Sequence, residues 1–163
     1  MKRILLVLLI TFAAWAQAPK TITTPTFEVT VPDTWEEART PSAVYLLYPG
    51  KDVSQPEKEN INITPTLNSD GMSLDMYTFM AKHTVESQRP ELKLTYSKPA
   101  PLGKLNGHRF EYTGIVGGKK YILIQVMALH LKNGYTVEFS GSEADFKTVR
   151  SSFDAMLRGF KAK

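Results

Sequence analysis

The sequence predicts an α+β protein: an α/β/α sandwich around a central, mainly antiparallel sheet of about six or seven strands, helices on both faces. Three observations carry this. Glycine-containing turn pairs recur at Asn106-Gly107, Gly117-Gly118 and Asn133-Gly134, which joins the strands between residues 92 and 140 into a meander. Two stretches, Ser73–Gln88 and Glu143–Leu157, have apolar residues at helical spacing. Between the second and third turns, Tyr121–Leu131 is apolar at nearly every position. A strand apolar on both faces must be covered on both, so the helices belong on opposite sides of the sheet.

Each element follows in order. Lys2 and Arg3 precede an apolar run, Ile4–Phe12, and Ala14-Trp15-Ala16 offers small residues at a signal-peptidase spacing. Residues 1–16 therefore read as a cleaved signal peptide, the apolar run falling short of the roughly 20 residues that span a bilayer. Residues 17–25 are polar and read as a flexible leader. A single domain is expected over 26–161. Phe27-Glu28-Val29-Thr30-Val31 alternates apolar and polar as a half-buried strand does, and Pro32 ends it. Asp33-Thr34-Trp35 is a turn. Ala43–Tyr48 is a second strand, stopped by Pro49-Gly50. Residues 51–59 contain Pro56 and five charges and read as an exposed loop. Asn60–Thr64 alternates again. Asn62-Ile63-Thr64 matches a glycosylation acceptor, an accidental match in a strand.

Ser73 caps the first helix, with Asp75 in its first turn. Leu74, Tyr77, Ala81, Thr84 and Val85 form one face, widened by Met76, Phe79 and Met80, and Pro90 follows the helix. Leu92, Leu94 and Tyr96 mark a strand that Pro99 and Pro101 confine to an edge. Phe110 and Tyr112 begin the next. Tyr135, Val137 and Phe139 follow the third turn. Ser142-x-x-Asp145 is a capping box with Asp in the Glu position. Phe146, Val149, Phe153, Met156 and Phe160 then recur at spacings of three and four, and Gly159 marks the helix end.

The order of these features resembles the PsbP-like superfamily, which includes the DcrB-like periplasmic proteins. The resemblance rests on the strand-Pro-Trp opening at Phe27–Trp35, the mid-chain helix leading to Pro101-Leu102-Gly103-Lys104-Leu105-Asn106-Gly107, the meander, and a closing helix with Ser151-Ser152-Phe153. It covers nearly all of residues 26–161. It implies a sheet with helices on both faces and an accessory or interaction role. The plant photosystem members assist an oxygen-evolving complex, but no metal-binding motif here carries that role over.

Composition removes several chemistries. The 163 residues include no cysteine, which excludes disulfides, thiolate metal sites, a cysteine nucleophile and a lipidated cysteine. Loss of Lys2 and Arg3 lowers the formal charge from +4 to +2, too little for a nucleic-acid footprint. His83, His108 and His130 lack zinc-site spacing. Ser140-Gly141-Ser142 is a strand end and helix cap, not a nucleophile elbow. Gly117-Gly118-Lys119-Lys120 lies between strands, so it is a hairpin turn and not a phosphate loop. Glu36-Glu37 and Glu57/Glu59 read as solvated charge. No catalytic residue, metal or cofactor is expected, and the chain reads as non-enzymatic, the alternative being a hydrolase whose site matches no motif.

The function expected is that of an exported accessory domain, periplasmic or extracellular, which binds an envelope or secreted protein through a sheet edge or loop face. The alternative is a carrier for a small apolar ligand or lipid, held between the sheet and the helix of Met76 and Met80. Candidate surface residues are Trp35, nearer the surface than the other aromatics unless it seals a core edge; Met76 and Met80; Lys119 and Lys120, which either form a basic rim with Lys98 and Lys104 or serve solubility and edge protection; and His130, at a cleft mouth or as an ordinary ring against a neighbour and water.

Overall fold

The computed structural model describes residues 18–51, 59–68 and 71–163. The expected signal peptide, residues 1–16, and most of the expected loop at 51–59 lie outside the described residues. The strands are β1 (Lys20–Thr23), β2 (Phe27–Val31), β3 (Glu36–Arg39), β4 (Val44–Leu47), β5 (Asn60–Leu67), β6 (Leu92–Pro99), β7 (Gly107–Val116), β8 (Lys119–His130), β9 (Asn133–Ser142) and β10 (Lys161–Ala162). The helices are α1 (Leu74–Gln88) and α2 (Glu143–Gly159). Seven strands form the main sheet in the order β3-β4-β5-β9-β8-β7-β6, and every neighbouring pair is antiparallel.

The doubly apolar strand is central, as expected. On one face of β8, Ile124, Val126 and Ala128 pack with Val137 and Phe139 of β9 and with Phe146, Val149 and Phe153 of α2. On the other, Leu123 and Met127 pack with Phe110, Tyr112 and Val85 of α1. The two helices therefore lie on opposite faces. The box at the start of α2 closes: Asp145 N donates to Ser142 Oγ at 3.1 Å, and Ser142 Oγ donates to the Asp145 carboxylate at 2.6 Å. At α1, Met76 N donates to Ser73 Oγ at 3.2 Å. The Gly117-Gly118 turn stands where expected, with φ of 58° and 77°, which glycine adopts without steric cost.

Four features depart from expectation. Residues 20–23 of the expected leader form β1, which pairs antiparallel with β2 and buries Ile22 in the core. β2 leaves the main sheet and is the middle strand of a small one, β1-β2-β10, which shares a layer with α2. β3 was not expected: a segment with three charges in four residues shows no apolar alternation. Finally, two turns move. Gly107 is the first residue of β7, and the reversal is at Gly103-Lys104, bracketed by the Leu102–Leu105 bridge. Gly134 lies inside β9, and the chain turns at Leu131-Lys132, with Leu131 at φ 53°.

Candidate functional site

α1 sets out the first surface. Its inward side meets β6, β7 and β8 through Val85, Tyr77 and Ala81. Met76, Phe79 and Met80 turn outward and are 52%, 64% and 51% exposed. Positions 76, 79, 80 and 83 follow i, i+3, i+4 and i+7, so they form one stripe along the helix. The His83 ring stacks on Phe79 with centroids 6.5 Å apart. The expectation that the two methionines face the sheet and line a cleft is thus corrected. Tyr77 occupies the space against the sheet, with its hydroxyl 2.9 Å from Thr136 Oγ1.

A second place lies on the α2 face of the sheet. His130 lines a cleft of about 420 Å³ together with Lys104, Leu105, Arg158, Phe160, Lys161 and Ala162. Its placement at a cleft follows from its position as the last residue of β8, beside the C-terminal end of α2.

The remaining predicted residues are not brought together. Trp35 is 3% exposed and belongs to the main core, which corrects the reading of it as a partner surface and agrees with the reading as a core seal. The turn after β2, closed by Trp35 N donating to Pro32 O at 3.1 Å, folds the ring inward. Lys119 and Lys120 are exposed on the β7–β8 tip, and Lys120 approaches Glu143 at 3.9 Å. Lys98 pairs with Arg109, seven residues along β7 from Val116, which pairs with Lys119. At about 3.4 Å per residue that is roughly 24 Å, so the four lysines do not make one rim.

Sequence reading missed a polar inlay on the α1 side of the sheet. The Glu138 carboxylate on β9 accepts from Gln125 Nε2 on β8 at 2.8 Å and from Asn62 Nδ2 on β5 at 3.3 Å. Burial pushes the Glu138 carboxyl above its usual range, and the two amide donors and the charge of Arg89 offset only part of that rise. Gln125 is 7% exposed and its Oε1 has no partner among the described residues. The one signal in the sequence is Gln125 itself, a polar residue in the middle of the apolar run of β8. A second charged cluster ties α2 to the start of β5: Lys51 Nζ contacts Glu59 at 2.7 Å and Asp145 at 2.8 Å. No group of three or more His, Asp or Glu side chains is placed to hold a metal among the described residues. No described helix is long and apolar enough to cross a membrane.

No family model and no curated protein sequence matches the chain. Solved structures do. The cyanobacterial PsbP (CyanoP) of Synechocystis sp. PCC 6803 superposes with a TM-score of 0.64 at 16% identity, covering 89% of this chain and 92% of that one. LpqN, involved in cell envelope biogenesis of Mycobacterium tuberculosis, gives 0.60 at 12% identity over 90% and 91%. PA94 from Pseudomonas aeruginosa, a protein of unknown function, gives 0.54 at 13% identity over 86% and 94%. At such identities the likeness speaks for architecture, and it agrees with the seven-stranded antiparallel sheet and its two helices: the chain has the PsbP-like fold.

Proposed function

We propose that this protein is an exported accessory domain that docks on a protein partner of the cell envelope or the extracellular space, using the outer face of α1. The observation that carries the proposal is the exposed stripe of Met76, Phe79 and Met80. Contiguous exposed apolar residues mark interaction surfaces, and anchors at i, i+3 and i+4 are how a helix seats in an apolar groove. Methionine adds adaptable contact area. The partner's matching feature is an apolar groove wide enough for one helix.

The sheet edges are poorer candidates than α1. β3 has Glu36, Glu37 and Arg39 in four residues, and β6 has Lys93, Lys98 and Pro99, the charge and proline that discourage strand addition. Export is supported by the pattern of residues 1–16 and by the envelope role of LpqN. An accessory role in place of catalysis is supported by the absence of any catalytic motif in the sequence.

The test places a photo-crosslinking amino acid at position 79 in the native host, with position 147 on α2 as control. One envelope protein should be captured from 79 and not from 147, and Met76→Ser with Met80→Ser should abolish the capture. Equal capture from both positions, or capture that survives the two serines, would sink the proposal.

A further inference from the structure

The cleft beside His130 is built from three segments that are locked together. The β6–β7 connection is pinned to the end of α2, because Gly103 N donates to Leu157 O at 2.8 Å. Gly103 sits at φ 59°, and a Cβ there would lie 1.9 Å from Phe160 O. β10 is held in turn by its pairing with β2. The cleft is therefore a fixed feature and not a dip between mobile side chains.

Its chemistry is divided. The floor is apolar: Phe160 is buried in the core, and Leu105 and Ala162 pack against that core. Around the floor stand Lys104, Arg158 and Lys161, all exposed, with the His130 imidazole. No acidic side chain lines it among the described residues. None of the three cations is in an ion pair among the described residues, and Glu28, which stands opposite Lys161 across the β10–β2 pair, is engaged by Lys163 at 3.1 Å. The carbonyl end of α2 opposes an anion here, but the Gly103 amide caps Leu157 O. Three full charges outweigh the remaining half charge of the helix terminus. The volume lies within the range of small-molecule sites.

We propose that this cleft binds a small anionic amphiphile, a single carboxylate or phosphate head on a short apolar chain. The head pairs with Lys104, Arg158 and Lys161, and the chain lies on Leu105, Phe160 and Ala162. The site is on the α2 side of the main sheet and α1 is on the other, so this proposal stands or falls independently of the docking face.

The test titrates the protein with decanoate, decyl phosphate, decanol and inorganic phosphate, each below any aggregation concentration, and follows backbone amide resonances. Decanoate or decyl phosphate should shift Lys104, Leu105 and Phe160 saturably, and whichever binds tighter identifies the head group. Decanol, lacking charge, and inorganic phosphate, lacking a chain, should each bind at least about tenfold more weakly, since one lost charge-assisted contact or a few lost methylenes is worth that much. Lys104→Ser with Arg158→Ser, both at exposed positions, should weaken binding by a similar factor without changing the rest of the spectrum. Equal binding of decanol would reduce the site to an apolar dent, and equal binding of inorganic phosphate to a charge patch. Shifts centred elsewhere, or an unaffected double variant, would also overturn it.

Discussion

Two carboxyl groups in this molecule are pushed in opposite directions, and the difference is testable. Glu138 is raised by burial, so the folded protein keeps its proton to a higher pH than the unfolded chain does. Stability then falls as pH rises from the ordinary carboxyl range through the raised value of Glu138. Asp145 behaves the other way. Burial works to raise it, but hydrogen bonds from Lys51 and Ser142 and the charge of Lys51 outweigh burial and hold it below its usual value. Its contribution is present above the unfolded value and is lost as pH falls through the folded one. Glu138→Gln removes the first effect and leaves the second. Thermal unfolding should show the variant melting a few degrees above the parent at pH 8 and level with it near pH 4. A variant less stable at pH 8 would mean that Asn62 and Gln125 need a carboxylate between them. Of this inlay only Gln125 showed in the sequence, because Asn62, Gln125 and Glu138 lie on three strands and only the register brings them together.

The two helices differ in how firmly the fold holds them. α2 buries Phe146, Val149, Phe153, Met156 and Leu157, whereas α1 buries Thr78 and Val85. Their caps should differ accordingly. Replacing a capping serine by alanine costs about 0.5–2 kcal/mol. Ser142→Ala should fall near the top of that range, since Ser142 also holds Asp145, which Lys51 clamps. Ser73→Ala should fall near the bottom. Urea denaturation of both variants measures the difference, and equal costs would show that α1 is anchored as firmly as α2. The helix and its inward residues Tyr77, Ala81 and Val85 were plain from sequence, but not how far the apolar face extends. Met76, Phe79 and Met80 continue the stripe around the helix, and only the contact with the sheet shows that they lie outside the buried part. The turns failed for a different physical reason. At Gly107 and Gly134 glycine answers a close approach and not a reversal: a Cβ would lie 2.4 Å from Met127 O in one case and 2.8 Å from the Tyr77 ring in the other. An Asn-Gly pair looks the same in either role.

At the scale of the whole molecule, the meander and the two-sided core were readable because their signals are local and periodic. The small sheet was not, since β1 and β10 are short and each is defined by its pairing with β2. That sheet joins distant parts of the chain. Lys161 and Ala162 pair with Glu28 and Phe27, Lys163 N donates to Thr26 O at 2.9 Å, and the Tyr135 hydroxyl donates to the same carbonyl at 2.8 Å. Deleting residues 161–163 should lower stability by about 2 kcal/mol while unfolding stays cooperative, because it removes two strand pairs and the Lys163–Glu28 contact but leaves the core residues in place. Denaturant titration checks this, and an unchanged midpoint would show that β10 is ornamental to the fold. The same arrangement bears on the order in which a newly made chain can become this structure. Synthesis delivers β2 more than a hundred residues before β10, and through that interval one edge of β2 has no strand to receive it. The small sheet is therefore the last part of the fold to be completed, since its third strand is made only after α2.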